Sequence, residues 1–442
     1  MFERILIAGR GEASARVART CQRIGADTVA LAAPGDEEAV HVQACDEVVK
    51  IEDVSVYRDP DRLVALALEH NCVAIHPAYG FFDSDPWLAA RGAQKGVTVV
   101  GPSADRLALY RDRAAMRVAA VDAGLRVLAG ADALVTDAAD AMMAAREIGY
   151  PLVVKAGLGV GEPSTLEIAH TESELLSIVG NAEDPIAFAL EAWVDRPRHV
   201  EIVLVSDGDS DVAVISDHEC SVRKDHRRVI GESPAPAIDA LRHGESVRGA
   251  MWAAASQLAI HLGHRGTATV QFLLDERGQF YFVAFRPGLG PEHVLAEMRT
   301  GVDLVEADVR LALGEPIPQG SFRTEPTGHA VQARLEAALD PRDQRPFPGR
   351  TDDVRWPPAP TGKSRIETAI QNGSKILSEH DPLVATITTF CPTRHEAVLL
   401  LDRMVAETRI APLITNLRLV RRALNHESFR ACQVDEGFLD RA

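Results

Sequence analysis

Four places in the chain carry side chains whose type and spacing could do chemistry. The first is Gly9-Arg10-Gly11-Glu12, directly after an apolar run, where two glycines could let a helix N-terminus face an anion. The spacing falls short of the full GxGxxG fingerprint, so a tight strand-to-helix turn is the favoured reading over a dinucleotide site. The second is Lys155, which follows the apolar run Leu152-Val153-Val154 and from a strand can reach phosphate oxygens as a point charge. The third is the basic stretch 223–228, which holds Arg223, His226 and Arg228, with His199 upstream of it. The fourth is residues 270–293, VQFLLDERGQFYFVAFRPGLGPEH, which read as two strands joined by an Asp275-Glu276-Arg277-Gly278 turn and followed by a loop carrying Glu292. Taken singly, these residues have plainer readings. Lys155 is then a strand-end surface lysine, His199 and His226 belong to an ordinary polar network, Glu292 is a solvated loop acid, and Arg355 is a surface arginine.

Bulk properties bound what such groups can serve. The 442 residues are enough for two or three domains, and a hydrophobic content of 46% is ordinary for a soluble globular protein with a sizeable core. A formal charge of −17 argues against nucleic acid and anionic membrane surfaces as partners, because both need a basic footprint. Cys21, Cys45, Cys72, Cys220, Cys391 and Cys432 form no CxxC pair, which suits reduced thiols better than a disulfide frame or a zinc site. The opening MFERILIAGRGE has no signal core and no apolar run reaches membrane-spanning length, so a cytoplasmic protein is expected.

The elements that must position these groups follow from periodicity. Short apolar runs at 4–8, 27–31, 47–51, 72–75 and 98–100 read as strands, with amphipathic stretches between several of them; one places Val17, Cys21 and Ile24 on a single face. That alternation predicts a mainly parallel, helix-covered sheet. A second block, 113–324, contains a compact insertion of strands and two Ala-rich helices at about 131–190, then a strand at 199–205, the basic stretch and the hairpin. A third block, 325–442, opens with a strand at 329–335. It passes through Trp356-Pro357-Pro358-Ala359-Pro360, which must be loop, and closes with helices around 395–408 and 416–425.

Several phrases resemble biotin carboxylase, an ATP-grasp enzyme, in order and spacing. They are IAGRGE at 7–12, AIHPAYGF at 74–81 with Ala78 in place of a glycine, IGYPLVVKA ending at Lys155 and Ala156, and PRHVEI at 197–202. ECSVRKDHRRVIGESPAP at 219–236, TGVDLVEADVRLALGEP at 300–316, VRW at 354–356 and ITNLRLVRRAL at 414–424 continue the match. The resemblance implies an α/β and α+β architecture: a Rossmann-like N-terminal domain over 1–112, an ATP-grasp domain over 113–324 with a lid at about 131–190, and a C-terminal domain over 325–442. In that family ATP phosphorylates bicarbonate, and the carbon dioxide released from carboxyphosphate carboxylates a biotin tethered to a carrier protein. No Met-Lys-Met biotinylation motif occurs in this sequence, so the resemblance implies a carrier on a separate chain and no covalent biotin here.

Carried over position by position, the resemblance gives Arg113, Lys155, Glu191, Val194, His199 and His226 nucleotide-contacting places, with ATP or ADP as the implied ligand. Glu292 matches the carboxylate that takes bicarbonate's proton, and Arg355 matches the arginine that stabilises charge on biotin. Other positions depart from the family. Its metal ligands, two glutamates and an asparagine, fall at Gln271, Ala284 and Arg286, so magnesium binding is doubtful. Gly288 replaces an arginine that holds bicarbonate, and Gly290 a glutamine. Lysines become Arg113 and Arg228, a glutamine becomes Arg223, and Ala192 stands where a lysine usually follows Glu191. The lid loop after Lys155 gains Glu162 and Pro163, a residue without an N–H.

Removing one preorganised electrostatic group costs on the order of 10²–10³ in rate, and here several are replaced together. The expectation is a catalytically inactive, biotin-carboxylase-like protein that serves as a non-catalytic partner or regulator in an acyl-CoA carboxylase context. It would be a homodimer or a heterodimer with a competent biotin carboxylase. Two rival expectations stand beside it. One is an active ATP-dependent ligase, weak or changed in substrate. The other is a module that binds a nucleotide or smaller anion without metal, with Arg223, Arg228 and Arg286 on the anion side.

Overall fold

A computed structural model describes residues 4–79, 85–130, 134–156, 166–180, 187–209, 211–225, 227–315, 326–340, 345–378 and 381–441. The first block folds as the alternation predicts. Strands β1 (Ile5–Ile7), β2 (Thr28–Ala32), β3 (Glu47–Lys50), β4 (Ala74–His76) and β5 (Thr98–Val99) form a parallel sheet in the order β3-β2-β1-β4-β5. The helix Gly11–Arg23 lays Val17, Ala18 and Cys21 against it. At the N-terminus of that helix Gly9 has no room for a side chain: a Cβ would stand 2.7 Å from Ser14 Oγ. The Gly9–Gly11 turn is therefore a close strand-to-helix approach, as its spacing suggested.

The insertion is a small antiparallel sheet, β7-β6-β8, from β6 (Leu152–Ala156), β7 (Leu166–Ala169) and β8 (Phe188–Ala192). Its core of Leu152, Val154, Phe188 and Leu190 is covered by two helices. Ala138–Ile148 is Ala-rich, as expected. Glu172–Gly180 contains no alanine and packs through Leu175, a correction to the expected pair of Ala-rich helices.

The scaffold of the cleft is an eight-stranded sheet, β13-β12-β9-β10-β11-β14-β18-β16. Its members are β9 (Arg198–Asp207), β10 (Val212–Lys224), β11 (Arg227–Ser233), β12 (Arg265–Leu274), β13 (Phe280–Pro287), β14 (His329–Glu336), β16 (Ser364–Thr368) and β18 (Leu383–Cys391). Period-two alternation decides what each face does. Val200, Ile202 and Leu204 of β9 and Val270, Phe272 and Leu274 of β12 pack on Met251, Ala255 and Leu258 of the helix Gly244–His261. The intervening residues, His199 and Glu201 on β9 and Thr269 and Gln271 on β12, are thereby turned to the opposite face.

The third block does not stand apart from the second. Its strands β14, β18 and β16 extend the same sheet through the β11–β14 pairing, Ile230 opposite Ala333. The remaining strands, β15 (Gly349–Arg355), β17 (Lys375–Ile376) and β19 (Arg409–Pro412), make a separate three-stranded sheet. Residues 356–360 are loop, and helices Arg394–Glu407 and Leu417–Asn425 close the chain as expected. Arg16 of the first helix lies 3.0 Å from both Glu297 and Asp303, which ties the first block to the segment after the hairpin. Among the described residues no helix is long and apolar enough to cross a membrane.

Candidate functional site

A cleft of about 2030 Å³ is lined by the first block, the small sheet and the free face of the central sheet. Its floor is a cross-strand row: Ala284 of β13 is opposite Gln271 of β12, Gln271 is opposite Glu201 of β9, and Glu201 is opposite His218 of β10. Glu201 has no solvent exposure and is the centre of the row. It accepts a hydrogen bond of 2.7 Å from Gln271 Nε2 and one of 2.5 Å from Arg228 Nη2. The other terminal nitrogen of Arg228 lies 2.8 Å from Glu292 Oε1. One guanidinium thus serves two buried carboxylates.

Electrostatics follow from that arrangement. Burial pushes the Glu201 carboxyl up, but Arg228, with help from His199, outweighs it and holds the group well below the usual carboxylate range. Burial likewise raises Glu292 and is overcome by Arg228, for a net lowering. A carboxylate held low by an ion pair is a poor proton acceptor near neutral pH, which weakens the base role that the sequence implied for Glu292. Burial pushes His218 down to about 4, so it is neutral under the row. Neither of its ring nitrogens has a hydrogen-bond partner among the described residues.

Most of the residues singled out in the sequence do converge on this cleft. Lys155 and Glu191 lie on one face of β6 and β8, because Glu191 is opposite Val153, two residues from Lys155. They are also bonded to each other, Lys155 Nζ donating to Glu191 Oε2 at 2.6 Å. Val194 lines the same wall. His199 Nδ1 is 2.9 Å from Glu436 Oε1, and its Nε2 is 3.6 Å from Glu201. Arg223 is opposite Arg228 and donates from Nε to the Cys220 carbonyl at 2.9 Å. Arg113 begins the helix Arg113–Asp122 and faces the cleft. Arg286, opposite Thr269 on the same face as Ala284, is exposed and has no hydrogen bond or ion pair among the described residues. His226 and the lid-loop residues 157–165, with Glu162 and Pro163, lie outside the described residues.

Arg355 stands apart from these residues and does not line the cleft. It ends β15 in the separate small sheet with its side chain 73% exposed, 2.7 Å from Asp353, which also pairs with Arg409. The strand's pairing with β19 turns it to solvent.

Sequence reasoning also missed residues that matter. Glu201 sits two positions after His199, and period-two alternation alone puts both on one face. Arg334 and Arg117 line the cleft as well. So does Glu12, which accepts a 2.7 Å hydrogen bond from the Tyr79 hydroxyl and which burial raises to about 8.

The donor set does not suit a divalent cation. Gln271 gives its amide nitrogen to Glu201, Ala284 has no donor, Arg286 is cationic, and the neighbouring carboxylates are held by Arg228. Among the described residues no group of three or more His, Cys, Asp or Glu side chains could hold a metal. Gly288, at φ +76°, has nothing within 4 Å of where a side chain would begin. A Cβ at Gly290 would stand 2.5 Å from Glu292 Oε1.

The three-part fold with this cleft defines an ATP-grasp protein of the carboxylase type. Residues 1–107 match the family described as biotin carboxylase, N-terminal domain. Residues 112–320 match the carbamoyl-phosphate synthase L chain, ATP binding domain, and 332–441 the biotin carboxylase C-terminal domain. The chain is 33% identical to a biotin carboxylase of Pseudomonas aeruginosa over 456 aligned residues, covering 100% of this chain and 98% of that protein. The chain belongs to the biotin carboxylase family. Among solved structures it is similar to the biotin carboxylase domain dimer of Hydrogenobacter thermophilus 2-oxoglutarate carboxylase in complex with MgADP, ADP and bicarbonate. The TM-score is 0.91 and the identity 27%, with 100% of this chain and 98% of that one covered. A second such domain, from a thermophilic 2-oxoglutarate carboxylase, is bound to ADP without magnesium with a disordered phosphate tail. There the TM-score is 0.84 and the identity 27%, with 100% and 98% covered.

Proposed function

We propose that this chain is a biotin-carboxylase-fold protein that takes an adenine nucleotide in its cleft but does not carboxylate biotin, and that it serves as a non-catalytic partner in a biotin-dependent carboxylase. The observation that carries this reading is the row Ala284-Gln271-Glu201 with Arg228 bridging Glu201 and Glu292. Phosphoryl transfer from ATP is catalysed almost wholly by positioning and by charge neutralisation through a cation between the phosphates. Here the residues that would hold the cation are an amide, a methyl and a guanidinium, and the nearby base is already paired. Nucleotide binding is supported by the ATP-grasp domain match and by relatives bound to ADP.

The test is biotin-dependent phosphate release from ATP and bicarbonate, with magnesium and then manganese. No turnover is expected; a rate near the ~10 s⁻¹ typical of enzymes would sink the proposal. The rival, an active ligase of changed substrate, is supported by the retained Lys155 and Glu292 and by relatives named biotin carboxylases. It predicts phosphate release on adding a different acceptor to the same assay. For assembly, the proposal is a homodimer or a mixed dimer with a competent biotin carboxylase, with any biotin on a separate carrier chain. Light scattering and affinity purification from the native cell test it, and a strict monomer without carboxylase partners would count against it.

A further inference from the structure

The charges around the hairpin can be counted residue by residue. The two carboxylates nearest the row, Glu201 and Glu292, are both engaged by Arg228, at 2.5 and 2.8 Å, and Glu201 also by Gln271. On the hairpin strands the positions that face the row, Gln271, Ala284 and Arg286, carry no acid to attract a cation. The arginines around the same part of the cleft are not all spent in this way. Arg286, Arg113 and Arg117 line it, and none has a hydrogen bond or ion pair among the described residues. Their placement is set by the fold. The helix that starts at Arg113 packs on β13, the strand that carries Arg286, and Arg117 lies one turn further along that helix. Beside Arg286 the small side chain of Ala284 and the open space at Gly288 leave room for a ligand against the guanidinium.

From this we infer that the cleft binds the phosphate tail of a nucleoside di- or triphosphate as the free anion, with Arg286 contacting the tail directly, and that a divalent cation weakens the binding. The inference rests on the proposed nucleotide cleft and adds the form in which the nucleotide is taken. A guanidinium meets two phosphate oxygens with parallel N–H donors in fixed geometry. Magnesium acts against that contact twice. It occupies phosphate oxygens that Arg286 would use, and it lowers the negative charge that draws the tail towards three unpaired arginines. A carboxylate-lined site would respond in the opposite sense, because there the cation is what reconciles the ligand with the protein.

Calorimetry on the full-length protein tests this with adenosine, ADP and ATP, each in EDTA and in excess magnesium. In EDTA, ADP is expected to bind at least tenfold more tightly than adenosine, and magnesium to weaken ADP several-fold while leaving adenosine unchanged. Arg286→Ala is expected to lose about tenfold for ADP and nothing for adenosine, which also shows that the variant is folded. Arg286→Lys is expected to recover part of the loss, since it keeps the charge without the fork. ADP binding that tightens with magnesium, or that is unaffected in Arg286→Ala, would overturn the inference while leaving the absence of carboxylation intact. Failure of all three compounds to bind would overturn both the inference and the nucleotide cleft, again without bearing on carboxylation. Only the turnover assay decides carboxylation.

Discussion

Arg228 is the side chain on which the floor of the cleft most depends, and its replacement by methionine has a calculable consequence. The side chain is buried and its two terminal nitrogens reach Glu201 and Glu292, themselves almost wholly buried. Methionine fills similar volume but leaves two carboxylates facing each other in a low-dielectric site. Breaking a buried pair by removing one partner costs about 3–5 kcal/mol. For a unit of this size about 1 kcal/mol moves a melting midpoint by roughly 2–4 °C, so a fall on the order of 10 °C is expected. The pH dependence separates lost charge pairing from lost packing. Both carboxyls are held below their ordinary value of 4.5 in the folded chain, so the stability they contribute is present above that pH and fades as the pH falls through it. Without Arg228 burial dominates, their folded values rise above 4.5, and the variant loses stability as the pH rises. The gap between wild type and Arg228→Met should therefore be smaller at pH 5 than at pH 8. Adding Glu201→Gln and Glu292→Gln to Arg228→Met should restore most of the loss. The measurement is thermal melting of all three proteins at both pH values. A single-variant shift of a degree or two, a gap that does not change with pH, or a triple variant as unstable as the single one would refute the view of Arg228 as counter-ion.

Two other predictions concern the same cleft. Glu12 is raised by burial from 4.5 to about 8, so its neutral form is the one the fold accommodates, and the chain loses stability as the pH climbs from about 4.5 to 8. Glu12→Gln keeps the acceptor for Tyr79 and removes that loss. Its melting midpoint should match wild type near pH 5 and exceed it at pH 8 by an amount corresponding to a few kcal/mol; equal midpoints at both pH values would refute it. Restoring acidic and carbonyl donors with Gln271→Glu, Ala284→Glu and Arg286→Asn together should create a divalent-cation site. Manganese at millimolar concentration is then expected to raise the midpoint of that variant and leave wild type unchanged, while Gln271→Glu alone, which sets a carboxylate where Gln271 now lies 2.7 Å from Glu201, should cost a few kcal/mol. The absence of any manganese response in the triple variant would show that the cleft had lost more than its ligands.

The parts of this fold that were legible in the sequence are those set by local periodicity. The five strands of the first sheet and the closing helices appear within a residue or two of where alternation and helical spacing put them, and the hairpin turns where expected although β12 begins five residues earlier, at Arg265. What periodicity cannot show is which distant strands pair. That β14, β18 and β16 join the central sheet depends on the β11–β14 register, and nothing local in either strand announces it. The site divides the same way. Lys155, Arg113, Arg286 and Glu292 were identified and do line one cleft, yet their partners were not visible. The Lys155–Glu191 and Arg228–Glu201 pairs form between residues far apart in the chain, and only the folded sheet brings them within reach. Arg355 lies apart from them, because the strand that holds it belongs to a different sheet, which a three-residue phrase does not reveal.

The substitutions that looked like separate losses in the sequence form one coherent arrangement in the structure. An ammonium at position 228 would be a single point charge. The guanidinium presents separate nitrogens to Glu201 and Glu292 at once. In that position the Glu292 carboxylate lies over residue 290, where a Cβ would meet Oε1 at 2.5 Å, so a side chain there would have to move the Glu292 carboxylate. At 271 a carboxylate would repel Glu201 across the same short contact, whereas the amide donates to it. At this end of the cleft, then, Gln271, Ala284 and Arg286 bring no acid, and one internal cation serves both buried carboxylates. Uncoordinated decay would leave buried charges unpaired, at several kcal/mol each. Here Arg228 instead reaches both Glu201 and Glu292, and Gln271 donates to Glu201.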